Sequence, residues 1–238
     1  MMNDISGRVV TSDNVDSIYI EIEKKSINDI NFFWLGLQDY NPVLLLQKIV
    51  HKNNIKGNVG DIVLFLEHNH VYTLGKNADD NHILLNNNSR IDVVRIDRGG
   101  DATYHGPGQL VGYPILNLNR YKKSVSWYIN TIQLSIVDLL GIYKIKAIKK
   151  DSPLVGVWID NEKVAAIGVR LSKWVSMHGF AINVNTDLGY YDSIIPCGIF
   201  DLGVTSMESV LQENNCVKKI ASEMTLIIKQ KIKEFAFC

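Results

Sequence analysis

Three segments of this 238-residue chain carry residues whose types and spacing suit chemistry. The first, RGGDATYHGPGQLVGYPILNL (98–118), sets Arg98, His105 and Gln109 among five glycines beside a strongly apolar stretch. Glycine at that density fits backbone that takes positive φ or approaches another group closely, as in a loop wrapped round a ligand; a tight turn between strands is the plainer alternative. Its spacing matches neither the Rossmann nor the P-loop signature, so it does not point to a nucleotide. The second is Cys197, between Pro196 and Gly198 in SIIPCGIFDLGVTSM (193–207). Its flanks bend the chain and clear space round a sulfur that must be approached, which suits a nucleophile; inert packing is the reading local sequence favours. The third is Lys163, which opens KVAAIGVRLS (163–172) and, by strand alternation, shares a face with Ala165, Ile167, Val169 and Leu171. An ammonium at the end of an apolar face usually snorkels to water. Beside a cysteine it would stabilise a thiolate and, when neutral, accept a proton.

Other candidates are weaker. His68 and His70 form an H-x-H, but no further Cys, His or acid stands at ligand spacing, so neither a metal nor another cofactor is expected. Cys216 and Cys238 lie in polar or terminal contexts. Three cysteines without a C-x-x-C pair do not make a disulfide framework and fit a reducing cytoplasm.

Composition bounds the rest. With 46% hydrophobic and 21% charged residues, the chain has the make-up of a soluble globular protein with a substantial core. A formal net charge of zero gives no global field for nucleic acid or an anionic membrane. Lysine clusters at 120–123, 144–150 and 229–234 read as solvated faces or helix ends, with docking of a partner as the alternative for each. The N-terminal stretch lacks the pattern of a signal or transit peptide, and no apolar run approaches membrane-spanning length, so a cytoplasmic location is expected.

The elements that must position these residues follow from periodicity. NPVLLLQKIVHKN (41–53) predicts a helix with Asn41 as cap and Pro42 at its first position. Residues 61–75 predict two strand pieces about a polar break, and 93–97 and 109–118 predict strands either side of the glycine loop. Helical spacing runs from Ser124 to Leu140, with Gly141 as C-terminal cap. A hairpin follows, LVGVWI turning at 160–162 into 163–172, then an antiparallel strand at 177–184. Thr205 with Glu208 makes a capping box, and Ile220, Met224, Ile227, Ile228, Ile232 and Phe235 stripe a terminal helix. The expected organisation is an N-terminal extension of uncertain order (1–30) and one catalytic domain (31–238). The expected fold is α+β, a mixed, mostly antiparallel β-sheet flanked by helices.

Together, EHNHVYTLGK (67–76), RGGDATYHGPGQLVGYP (98–114), KVAAIGV (163–169), HGFAINVNTDL (178–188), PCGI (196–199) and VTSM (204–207) resemble, in the family's order, the lipoyl(octanoyl) transferases. These are the acyltransferase branch of a superfamily that also holds lipoate and biotin protein ligases. The resemblance implies Cys197 as acyl-thioester nucleophile and Lys163 as its partner. It implies an octanoyl chain held by Arg98, Gly99, Gly100, Asp101, Ala102, Thr103, Tyr104 and His105, by Ala166, Ile167 and Gly168, and by Gly179, Phe180 and Ala181. It also implies octanoyl-acyl carrier protein as donor, with lipoyl domains of 2-oxoacid dehydrogenase complexes and the glycine cleavage H protein as acceptors, in endogenous lipoate biosynthesis. Two departures stand out: Asn69-His70 where the family commonly has a proline-containing turn, and the first thirty or so residues, on which the resemblance is silent. An ATP-dependent lipoate or biotin ligase is the alternative within the superfamily, though it has no use for a nucleophilic thiol. A non-catalytic acyl or carrier-domain binding protein is the alternative of another class.

Overall fold

Apolar runs separated by short polar breaks build the strands at the centre of the molecule, and amphipathic stretches supply the helices that cover them. The computed structural model describes residues 1–84, 91–194 and 203–236. In chain order its strands are β1 (Asn3–Asp4), β2 (Ile30–Gln38), β3 (Asp61–His68), β4 (Val71–Leu74), β5 (Asp92–Arg95) and β6 (Ala102–His105). Then come β7 (Gln109–Ile115), β8 (Ile148–Lys150), β9 (Gly156–Ile159), β10 (Glu162–Ser172), β11 (Val175–Asn183) and β12 (Gly203–Val204). The α-helices are α1 (Val15–Glu23), α2 (Tyr40–Lys56), α3 (Val125–Ile142), α4 (Met207–Leu211) and α5 (Val217–Ala236).

The main sheet runs β1-β2-β3-β7-β11-β10-β9-β8, with β12 added beside β10. Pairing is parallel at β1–β2, β2–β3 and β10–β12 and antiparallel elsewhere, which is the mixed, mostly antiparallel α+β sheet expected. A small sheet, β5-β4-β6, stands beside it. Alternation along β2 and β3 divides the core between two faces. Phe32, Trp34, Val63 and Phe65 pack with α3 and α5, while Phe33, Leu35, Ile62 and Leu64 pack with α1 and α2.

Several boundaries differ from expectation. Strand β2, INFFWLGLQ, has no polar alternation to mark it because helices cover both of its faces. Asp39 rather than Asn41 holds the N-cap position of α2, without a side-chain cap bond, and Pro42 still falls in the first turn, where its missing N–H costs nothing. Ser124 does cap α3, its Oγ accepting from the Trp127 amide at 3.1 Å, but the helix runs through Gly141 to Ile142. Contrary to the sequence reading, α3 is long and apolar enough to match a membrane span; here Tyr128, Ile132, Ile136, Leu139 and Leu140 are spent on the core. α4 is capped by Ser206, whose Oγ accepts from the Ser209 amide at 3.1 Å, because Thr205 is engaged elsewhere.

The first thirty residues carry β1, hydrogen-bonded along β2, and α1, which buries Val15, Ile18 and Ile22 against α2. Ile22→Ala is therefore expected to lower stability by about 2–5 kcal/mol, measured by urea unfolding. An unchanged midpoint would mean that α1 unfolds apart from the rest.

Candidate active site

A cavity of about 380 Å³ opens between the N-terminal end of α3, the 152–155 loop and the faces of β10 and β11. The segment with the dense glycines forms one wall, but it is not all loop, since Ala102 to His105 make β6 against β4. Gly100 takes a φ of +88°, which a residue with a Cβ adopts only with strain. The loop then presses on β10: the Gly99 amide donates to the Val169 carbonyl at 3.0 Å, and a Cβ on Gly168 would lie 2.9 Å from the Gly99 oxygen. Arg98 braces the bend from inside, its guanidinium donating to the Thr73 carbonyl (2.8 Å) and Oγ1 (3.0 Å) and to the Gly99 carbonyl (3.1 Å).

Of the residues singled out in sequence, Arg98, Gly99, Gly100, Asp101, Ala102, Thr103, His105, Lys163, Ala166, Ile167, Gly168, Gly179, Phe180 and Ala181 all line this cavity. Tyr104 does not; its buried ring packs among Tyr72, Tyr190 and Tyr191. Cys197, with Pro196 and Gly198, lies outside the described residues. Tyr191 before that segment and Gly203 and Val204 after it are in the cavity wall. His68 and His70 diverge, the first bonded to Gln38 and Tyr113, the second to Tyr104. Among the described residues no three His, Cys, Asp or Glu converge as metal ligands.

Lys163 reaches the wall through a defect in its strand. β10 pairs with β9 at Lys163–Trp158 and next at Ala165–Val157, so Val164 is one residue too many on the β10 side. The bulge breaks the regular alternation read from sequence. Val164 and Ala165 both enter the core, and Lys163 lines the cavity with Ala166, Ile167, Gly168 and Val169 but not with Ala165. The chain leaving the Cys197 segment is tied to the same point: Val204 pairs with Lys163, and the Thr205 amide donates to the Lys163 carbonyl at 3.1 Å.

A buried hydrogen-bond chain continues from there. The carbonyl of Thr205 accepts from Asn183 Nδ2 (3.0 Å), and Asn183 Oδ1 accepts from Gln109 Nε2 (3.0 Å). Gln109 Nε2 also donates to the Tyr104 carbonyl, which turns Gln109 Oε1 toward His105 Nδ1 at 2.7 Å. His105 therefore carries its proton on Nδ1 and keeps a lone pair on Nε2. Burial drives its pKa down to about 3, with His68 adding to the effect. His68 is fixed in the same way: Nδ1–H donates to the Gln38 carbonyl, Nε2 accepts from the Tyr113 hydroxyl at 2.8 Å, and burial lowers its pKa to about 4. Both rings are neutral at physiological pH.

Sequence reasoning missed Tyr40, Tyr113, Trp158 and Asn183, all of which line the cavity. Trp158 had a signal, since a hairpin turning at 160–162 sets it directly across from Lys163. His178 carries no signal in sequence beyond its place in HGFAINVNTDL. It holds a φ of +60°, lines the cavity and donates from Nε2 to Asp97 Oδ1 at 3.0 Å. Asp97 in turn takes Arg170 at 2.6 Å, and although burial opposes it, these two partners hold the Asp97 carboxyl below its usual range.

Because His68 and His105 have folded pKa values below the unfolded value of about 6.5, the unfolded chain binds their protons first as pH falls. Stability contributed by each neutral ring is present above about 6.5 and is lost as pH drops toward 4 and then 3, with a slope of up to about 1.4 kcal/mol per pH unit for each. Urea unfolding at pH 7 and pH 5 should show this slope, shallower in His68→Gln. Equal slopes in both proteins would contradict the buried neutral state.

The chain's kinships agree with this geometry. Residues 39–228 match the family model of the lipoyl protein ligase A/B catalytic domain. Octanoyltransferases of Solibacter usitatus and a Nostoc species are 45% identical over 180 residues and 39% identical over 199 residues. The matches cover 74% and 83% of this chain and 81% and 90% of those proteins. In fold, the chain is similar to a bi-partite lipoate protein ligase from Thermoplasma acidophilum (TM-score 0.63, 15% identity, 83% of each chain). It is also similar to the biotin protein ligase of Aquifex aeolicus (TM-score 0.51, 16% identity, 89% of this chain and 72% of that one). A match spanning most of the sequence, relatives near 40% identity and a shared fold establish that the chain belongs to the lipoyl protein ligase A/B catalytic domain family.

Proposed function

We propose that this protein transfers an octanoyl group from octanoyl-acyl carrier protein to the ε-amine of one lysine on a lipoyl carrier domain. The acceptors are lipoyl domains of 2-oxoacid dehydrogenase complexes and the glycine cleavage H protein. The observation that carries the reading is the Thr205–Lys163 bond, which ties the end of the cysteine segment to the lysine at the wall of the acyl-sized cavity. In the first step the Cys197 thiolate attacks the donor thioester, a new C–S bond forms, the carrier's C–S bond breaks, and the departing carrier thiolate takes a proton from the Lys163 ammonium, which leaves Lys163 neutral. This exchanges one thioester for another of similar energy, so no ATP is required. In the second the acceptor amine attacks the acyl-enzyme, the C–N bond forms, the Cys197 C–S bond breaks, and the amine's proton passes to neutral Lys163. Thioester to amide is downhill.

The cavity suits each step. Phe180, Ile129, Leu154 and Val155 offer apolar walls for the chain, and the glycine-lined side leaves room for backbone beside the acyl carbonyl. The curated relatives named octanoyltransferase, at 38–45% identity, favour transfer over ATP-driven ligation.

The test is steady-state octanoyl transfer to a lipoyl domain without ATP. Wild type should turn over, Cys197→Ala should be inactive, and Lys163→Arg should lose at least ~10²-fold in kcat, because guanidinium is not a base at neutral pH. Turnover that appears only with free octanoate and ATP would mean a ligase.

A further inference from the structure

The Lys163 amine ends a flexible four-carbon stem, yet a proton acceptor must stand within hydrogen-bond reach of the group it serves. The fold supplies a fixed point for it. Trp158 is its cross-strand partner, and Lys163 Nζ lies 5.0 Å from the indole centroid. The indole is itself locked, 2% exposed and donating Nε1–H to the Leu154 carbonyl at 2.9 Å. Gly156 keeps the path of the stem open, since a Cβ there would stand 3.3 Å from Lys163 Cε and 2.7 Å from the Ala165 carbonyl oxygen. A second ammonium, that of Lys150, sits 4.3 Å from the same centroid. Two cations gathered on one indole mark it as an electrostatic platform as well as a wall.

We infer that Trp158 is a positioning residue for the transfer, its π-face holding Lys163, as the ammonium that gives its proton in the first step and is regenerated in the second, at the cavity wall where the acyl carbonyl and the attacking amine meet. This rests on the proposed role of Lys163. Trp158 carries no proton in either step, and leucine or phenylalanine in its place keeps an apolar cavity wall, so the loss of its indole falls on the rate of the chemical steps.

The test compares Trp158→Leu with Trp158→Phe in the octanoyl-transfer assay, each alone and with Lys163→Ala. Leucine fills space without a π-face and should lower kcat about 10–100-fold, the scale of a misplaced catalytic group, with KM for the acylated carrier within about 2-fold. Phenylalanine should restore most of the loss, and Trp158→Leu should cost nothing further once Lys163 is alanine. Equal losses in the Leu and Phe variants, a rise in KM in place of the fall in kcat, or a further loss on the Lys163→Ala background would each overturn the inference. If Lys163→Ala turned over normally, the proposed role of Lys163 would fail instead; if it were inactive while Trp158→Leu matched wild type, only the platform would fail. Should the Leu variant not fold, fluorinated tryptophans placed at 158 keep the shape and weaken the π-face stepwise. Log kcat should then fall with each added fluorine, and a flat series would overturn the platform.

Discussion

The hydrogen bond from the Thr205 amide to the Lys163 carbonyl is the joint on which the arrangement of the site depends, because it fastens two segments remote in sequence at the point where one strand is irregular. A regular β10 would carry Lys163 on the same face as Ala165, and Ala165 is in the core. The extra residue Val164 turns the lysine into the cavity, and β12 closes on the strand at that place. From Thr205 the same chain of bonds passes through Asn183 and Gln109 to His105, so both walls of the cavity share one buried frame.

Such a frame is costly unless complete. Gln109 and Asn183 are essentially inaccessible to water, and a buried amide left without partners costs about 1–3 kcal/mol. Here each amide uses both of its ends, and that fixes which nitrogen of His105 bears the proton. Packing adds a second constraint: the glycine segment can reach β10 only because Gly168 has no side chain to hold it off. The site is thus a rigid cradle in which Lys163, the most flexible of the residues in question, is steered by a bulge, a glycine and an indole.

Sequence made the chemistry easier to find than the geometry. The glycine segment, the lysine strand and the HGF strand were legible because their residue types are unusual for plain structure, and they meet at one cavity. The α+β class, the β9–β10 hairpin and both long C-terminal helices followed from periodicity. Strand β2 escaped because burial on both faces erases alternation, and β6 escaped because glycines surround it. Val164 carries no mark of a bulge in its type, so the face of Lys163 could not be read. Tyr104 looked like part of the binding loop, but β6 alternation turns it into a cluster of tyrosines. Asp39 and Ser206 displaced the predicted caps by one or two positions, a shift that depends on tertiary contacts such as the one Thr205 makes.

The central claim is a covalent acyl-enzyme on Cys197. It is tested most directly by intact-protein mass spectrometry after mixing the protein with octanoyl-acyl carrier protein in the absence of ATP and of any acceptor domain. The account predicts one added octanoyl mass that hydroxylamine removes and that Cys197→Ala never acquires. An unmodified wild-type protein, or an adduct that persists in the alanine variant, would contradict it.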